Sequence, residues 1–194
     1  MELYVARHGE TEFNVERRLQ GSGQDSPLTP NGIEQAKALG NALEGITFDA
    51  VYSSPIKRAT DTVSLAFGDK YKPILDPRLV EVGLGKAEGM LIEDILEIYG
   101  NAATSLFNDP VNYTPPPQGE PLTTMIERIS AFLDDLAKTS HKRVFVLTHG
   151  YSLRVFQACV MDKTVAAIGN TRAYNNCEVV HYLYTQDKWE AKHA

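Results

Sequence analysis

The stretch "RVFVLTH", residues 143 to 149, decides the fold class. Its apolar residues follow one another without the in-and-out alternation of a strand that has one wet face. A short, nearly continuous apolar run is the mark of a central strand covered on both sides, as in a parallel sheet. Such a strand needs helices before and after it. "LTTMIERISAFLDDLAKTS" (122–140) reads as a long amphipathic helix with Met125, Ile129, Phe132, Leu133 and Leu136 on one face. A second helix is expected from about Ser152.

The same alternation runs through the rest of the chain. "ELYVAR" (2–7) is a short β-rich run. "LTPNGIEQAKALGNALEG" (28–45) reads as a helix capped by Thr29, with Pro30 at its first position and Ile33, Ala36, Leu39 and Leu43 on its apolar face. "FDAVYSS" (48–54) is a strand. "SPIKRATDTVSLAFG" (54–68) is the next helix, with Ser54 as the expected cap, Pro55 at the first position and Gly68 as the stop. An irregular stretch with Pro73, Pro77, Gly83, Gly85 and Gly89 leads to a short helix in "LIEDILEIYG" (91–100). Residues 100–121 show no clear period and contain "PPP"; a segment of that kind reads as a lid or binding loop. "CEVVHYLYT" and "KWEAK" end the chain as a hairpin-like pair around "QDK". The order predicts a single three-layer α/β/α domain over 1–194, with a mostly parallel central sheet and a lid-like excursion at about 90–121.

Composition agrees with one ordinary globular domain: 194 residues, 43% hydrophobic and 23% charged. The two cysteines, Cys159 and Cys177, sit in apolar or strand-like contexts and read as buried free thiols of a reducing compartment. The chain opens directly into strand residues, and no segment approaches the ~20 apolar residues of a membrane span. A cytoplasmic protein is expected, with no membrane partner. A formal charge of −6 argues against nucleic acid as a partner.

In open α/β sheets, ligands bind outside the C-terminal ends of the strands. The first strand ends at Arg7-His8-Gly9, the 143–148 strand at His149-Gly150, and the 49–53 strand leads into a helix whose first turn carries Arg58. Each residue taken singly has an ordinary structural explanation. Together they bring two arginines and two histidines to one edge, a local pocket for an anion on an acidic protein. Zinc-ligand spacing is missing, since the two strand-end histidines are far apart and lack a nearby cysteine. A Walker phosphate loop is missing too. His141, His181 and His193 receive no role.

The sequence "RHGETEFN" (7–14) resembles the Arg-His-Gly signature of the histidine phosphatase superfamily, the phosphoglycerate mutase-like proteins. The resemblance continues in order through "RLQG" (18–21), "DSPLTPNG" (25–32), "YSSPIKRATDT" (52–62), "RLVEVGLGKAEG" (78–89), "LTHGYSLR" (147–154) and "NCEVV" (176–180). It implies His8 as the nucleophile that becomes phosphohistidine and Glu81 as the proton donor. Arg7, Arg58 and His149 fall in the phosphate pocket, which Asn14, Gln20, Gly21 and Gly150 complete. No cofactor and no metal is implied. The chemistry suits these types: a neutral imidazole can attack phosphorus, arginine forks fit phosphate oxygens, and a carboxylic acid can protonate the departing alkoxide.

Three functions share this resemblance: a hydrolase of small phosphomonoesters, a cofactor-dependent phosphoglycerate mutase, and a module that binds phosphorylated ligands without turnover. Every catalytic position is filled, which disfavours the last. Val82 stands where the mutases carry an arginine, and 82–121 holds one basic residue, Lys86. Leu106, Phe107 and Tyr113 offer an apolar lid instead, which favours the hydrolase with an uncharged or aromatic leaving group.

Overall fold

The computed structural model describes residues 1–192; His193 lies outside the described residues. Six strands form one sheet in the order β3-β2-β4-β1-β5-β6. They are β1 (Glu2–Arg7), β2 (Ala50–Ser53), β3 (Ile74–Leu75), β4 (Arg143–Thr148), β5 (Val179–Thr185) and β6 (Lys188–Ala191). The "RVFVLTH" strand, β4, lies between β1 and β2 and is parallel to both, with Val144 opposite Leu3 on one side and Ala50 on the other. β3 extends the parallel part, and the terminal hairpin β5–β6 adds two antiparallel strands beyond β1.

Successive β4 side chains enter different cores, as the two-residue period requires. Val144 and Val146 pack with α5 (Leu122–Ala137) and α6 (Gly150–Met161), through residues such as Met125, Ile129, Leu133 and Leu153. Phe145 and Leu147 pack with α2 (Pro30–Ala42) and α3 (Lys57–Phe67), through Leu39, Ala59 and Val63. All four strand residues are fully buried. Each such side chain contributes about 1.5–3 kcal/mol by leaving water. Covered on both faces, the sheet is the middle of three layers. The remaining helices are α1 (Glu12–Val15), α4 (Ile92–Asn108) and α7 (Val165–Gly169).

Thr29 caps α2 as expected, accepting from the Gly32 amide at 2.9 Å with Pro30 next in line. Three local expectations are corrected. Ser54 is not the cap of α3: that helix starts at Lys57 behind Ile56, without a side-chain cap, while the Ser54 hydroxyl accepts from the Ile56 amide (3.3 Å) and pairs with His149 (2.7 Å). The region 100–121 is not structureless. α4 runs on past a kink at Gly100 (φ 73°) to Asn108, and a 3-10 turn follows at Pro110–Asn112. Ala103 and Leu106 of this extension are buried in the core beside α5 and α6. Finally, α6 begins at Gly150 rather than near Ser152, so His149 is its N-terminal boundary residue.

Because β1, β2 and β4 are parallel, their C-terminal ends meet at one edge. The His8 amide donates to the Thr148 carbonyl (3.0 Å) and the Ser54 amide to that of Leu147 (2.9 Å). This juxtaposition makes the site.

Candidate active site

His8 leaves β1 as its first residue past the pairing, and its side chain is 3% exposed. Gly9 must follow it. A Cβ at position 9 would stand 2.6 Å from the Gly32 carbonyl oxygen, where α2 crosses underneath. Two neighbours fix the imidazole tautomer. Its Nδ1 lies 2.7 Å from the Gly9 carbonyl, which can only accept, so Nδ1 carries the proton. Its Nε2 lies 3.2 Å from Arg58 Nε, which can only donate, so Nε2 presents a lone pair. Burial, then the charges of Arg58 and Arg7, hold the imidazole pKa well below its usual value. His8 is therefore neutral near pH 7, with Nε2 as the nucleophilic atom.

Arg58, in the first turn of α3, is 1% exposed. Besides His8 it donates to the carbonyls of Gly21 (2.8 Å) and Gln24 (3.1 Å) and to Asp25 Oδ1 (3.0 Å). One Nη2–H remains for a ligand. Arg7 donates from Nη1 to the Tyr174 carbonyl (2.8 Å), but its Nε is buried and has no partner among the described residues. A buried donor left unpaired costs about 1–3 kcal/mol, a cost that an anion in the cavity removes. Gly150 permits the placement: a Cβ there would lie 3.1 Å from Arg7 Nε.

His149 is fully buried, its ring centroid 5.2 Å from that of His8. Its Nε2 pairs with Ser54 Oγ, and its Nδ1 has no partner among the described residues. Burial and the nearby Arg58 hold its pKa well below the usual value. His149 thus enters the site as a neutral ring, and the positive charge comes from the arginines.

Asn14 and Gln20 line the same cavity as His8. Asn14 Oδ1 accepts from the Thr11 amide (3.2 Å) and from Asn176 Nδ2 (3.3 Å), which leaves its own amide N–H groups as donors. Gln20 Nε2 is bonded to the hydroxyls of Thr11 and Ser26, and its Oε1 is buried and unpaired among the described residues. Both hydroxyls can donate as well as accept, so turning the amide over would place donors where Oε1 now stands. Gly21 contributes its carbonyl to Arg58.

Glu81 reaches the first turn of α6. Oε1 accepts from the Ser152 amide (3.0 Å), the Ser152 hydroxyl (3.1 Å) and the Val82 amide (3.0 Å), and Oε2 accepts from the Tyr151 amide (3.0 Å). The positive end of the helix favours this charge. Glu81 lines a cavity of about 240 Å³ together with Arg7, His8 and Arg58. Val82, Leu84, Leu106 and Phe107 supply apolar wall to the same cavity.

Sequence reasoning missed several residues that hold this arrangement. Asn176 donates to the His8 carbonyl at 2.9 Å; an asparagine in a turn carries no pattern that announces it. Arg128 donates to the carbonyls of Arg78 (2.6 Å), Val80 (2.8 Å) and Glu81 (3.2 Å) while paired with Glu120 at 2.7 Å. Its signal was available: a cation three residues after Met125, beside the buried stripe of α5. The sequence offers no arginine in the lid, yet Arg18 and Arg154 line the cavity from other segments. Arg154 donates to the Phe107 carbonyl at 3.2 Å and so ties the end of α4 to α6.

The family model of the histidine phosphatase superfamily (branch 1) matches residues 3–194. The chain belongs to the histidine phosphatase superfamily. Within that superfamily it is 31% identical over 196 residues to a Proteus mirabilis protein called "Probable phosphoglycerate mutase GpmB", covering 98% of this chain and 88% of that one. It is 39% identical over 139 residues to the fructose-2,6-bisphosphatase TIGAR B of Danio rerio, covering 69% of this chain and 52% of that one. Among solved structures, YhfR of Bacillus stearothermophilus superposes with a TM-score of 0.90 at 30% identity, over 98% of this chain and 94% of that one. The superfamily match therefore spans nearly the whole chain.

Proposed function

We propose that this histidine phosphatase superfamily member is a phosphomonoester hydrolase acting on small phosphorylated metabolites through a phosphohistidine. One observation carries the reading. A neutral imidazole, its tautomer fixed so that Nε2 holds the lone pair, stands beside Arg58 and beside an Arg7 whose buried Nε lacks an acceptor among the described residues. A phosphoryl group fits that arrangement. Its oxygens take the free N–H groups of Arg7, Arg58 and Asn14, and its phosphorus faces Nε2.

His8 Nε2 attacks phosphorus as the ester P–O bond breaks, and the departing oxygen takes a proton from Glu81. Water then attacks the phosphohistidine, gives its proton to the Glu81 carboxylate, and frees His8 with inorganic phosphate. The arginines neutralise the equatorial oxygens in both steps, a largely electrostatic contribution. For Glu81 to donate, one of its four acceptor contacts must be exchanged; the buried Ser152 hydroxyl can donate to the Val80 carbonyl (3.0 Å) instead and accept from Glu81. The extension around α4 acts as the lid, with Leu106 and Phe107 against the leaving group. No helix is long and apolar enough to cross a membrane among the described residues, and both cysteines are free, which suits the cytoplasm.

The mutase reading has one observation in its favour, the name of the Proteus mirabilis relative. Against it, Val82 and the apolar residues of α4 add no cation for a second anionic group of a sugar acid, and the other two arginines of the cavity are engaged elsewhere, Arg154 with the carbonyls of Phe107 and Ile168 and Arg18 with Glu16 and the Gly89 carbonyl. A panel of phosphomonoesters with phosphate release as the readout tests the proposal; turnover of at least one sugar or aryl phosphate is expected, and release from none would reject it.

A further inference from the structure

Arg58 is aimed by a loop, and the loop is itself moored. Three of its guanidinium contacts go to residues 21–25: the carbonyls of Gly21 and Gln24 and the carboxylate of Asp25. That loop is a turn without regular secondary structure, and its hold on Arg58 is only as firm as its own anchorage. Glu88 supplies anchorage from below. Its Oε2 accepts from the Gly23 amide (2.8 Å), and its Oε1 accepts from the Ser22 amide (3.1 Å) and the Leu84 amide (2.9 Å). The glycines of "GSG" (21–23) make room for it. A Cβ at Gly21 would fall 2.2 Å from Glu88 Oε1, and one at Gly23 would fall 2.7 Å from Oε2.

We propose that Glu88 is a positioning residue: its carboxylate fixes the 21–25 loop that aims Arg58 and ties that loop to the segment carrying Glu81. The proposal rests on the phosphatase reading only for what Arg58 is aimed at. Leu84 lies three residues after Glu81, so one carboxylate joins the supports of the phosphate-binding arginine and of the acid. Neighbouring backbone bonds, Leu19 to Met90 (2.9 Å) and Gly89 to Leu19 (2.6 Å), bring the two segments together. They end short of residues 21–25, where Glu88 takes over. A glutamine cannot replace it. The glutamine oxygen satisfies one side, and its NH2 then faces an amide N–H on the other.

Glu88→Gln and Glu88→Asp are compared with wild type in three measurements. The first is the affinity for inorganic phosphate by calorimetry. The second is the NMR signal of the Arg58 Nε–H donated to His8. The third is the phosphoryl-transfer rate with p-nitrophenyl phosphate and with an alkyl phosphate. For Glu88→Gln, phosphate affinity should fall about tenfold or more, as expected for a lost charge-assisted hydrogen bond. The Arg58 signal should broaden or vanish, and the two leaving groups should lose rate equally. Glu88→Asp keeps the charge but is one methylene too short to span both segments, so it should shift the same way by less. Unchanged phosphate affinity with an unchanged Arg58 signal would overturn the proposal. A loss confined to the alkyl phosphate would also overturn it and would make Glu88 an acid. If Glu88→Gln does not fold, the aspartate variant decides by the same criteria. Phosphate affinity and the Arg58 signal need no turnover, so a wild-type protein that hydrolyses nothing would reject the phosphatase reading and leave this one to be decided by them. A wild-type protein that binds no phosphate leaves the Arg58 signal as the deciding result.

Discussion

Replacing Glu81 by glutamine should separate its two tasks, that of a helix cap and that of an acid. The carboxylate accepts four hydrogen bonds, three at Oε1 and one at Oε2 from the Tyr151 amide. Glutamine keeps its oxygen at the busier position and turns its NH2 toward the Tyr151 amide, where two donors meet. One charge-assisted bond is lost, at about 1.5–3 kcal/mol, with a further ~0.3–1 kcal/mol for the charge at the helix N-terminus. A loss of about 2–4 kcal/mol follows, and at roughly 2–4 °C per kcal/mol for a chain of this size Tm should fall by about 4–16 °C. The protein should still be folded at 25 °C. The chemical loss should depend on the leaving group. An alkyl phosphate departs as a basic alkoxide and should slow by about 10²- to 10⁴-fold without the acid. A nitrophenolate leaves almost unaided and should slow clearly less. The comparison is made at 25 °C on the phosphoryl-transfer step, by rapid quench or burst kinetics, because Glu81 also serves the later attack of water. Equal losses for both leaving groups in that step would remove Glu81 as the acid. Glu10, bonded to Thr29 Oγ1 at 2.8 Å, and Glu88, engaged with the 21–25 loop, are both committed elsewhere.

Activity should survive excess EDTA, since arginines supply the cationic charge and no group of three metal-ligating side chains gathers among the described residues; loss on chelation that a divalent ion restores would contradict this. Interconversion of 2- and 3-phosphoglycerate, with bisphosphate primer, should be negligible; turnover on the order of 10 per second, ordinary for an enzyme on its own substrate, would favour the mutase reading. Acid should destabilise the fold through His8 and His149. Their folded pKa values lie well below the usual ~6.5, so between those values and 6.5 the unfolded chain binds protons that the folded chain does not. Stability should therefore fall as pH drops below about 6.5, by up to ~1.4 kcal/mol per pH unit for each histidine. Urea unfolding at pH 7 and pH 5 measures it, and His149→Asn should flatten the dependence; a slope identical to wild type would contradict the assignment.

Much of this was legible in the sequence because strand ends leave strong marks. The unbroken apolar run of β4 placed it in the middle of the sheet, and parallel neighbours then brought Arg7, His8, Arg58 and His149 to one edge. Thr29-Pro30 announced its helix start by local chemistry alone. Ser54-Pro55 carried the same signature and misled: the Ser54 hydroxyl does accept from the Ile56 amide, but the chain turns helical only at Lys57 and the serine also serves His149. The continuation of α4 was hidden by Gly100, which reads as a helix stop but here sits at a kink within the run. The supports of the site, Asn176, Arg128 and Glu88, act on backbone groups far away in sequence. Arg128 betrays itself only by its place beside the buried stripe of α5; for Asn176 and Glu88, which serve a distant carbonyl and distant amides, no periodic or spacing signal exists and only the fold reveals them.

The most direct test is to stop the reaction within milliseconds of mixing with a phosphate-labelled substrate and find where the label sits. The account predicts an acid-labile, base-stable phosphoryl group on His8. It should appear at a rate at least that of steady-state turnover and be absent from a folded, inactive His8→Ala variant. A label on another residue, or a His8→Ala variant that hydrolyses the same substrate near the wild-type rate, would contradict it.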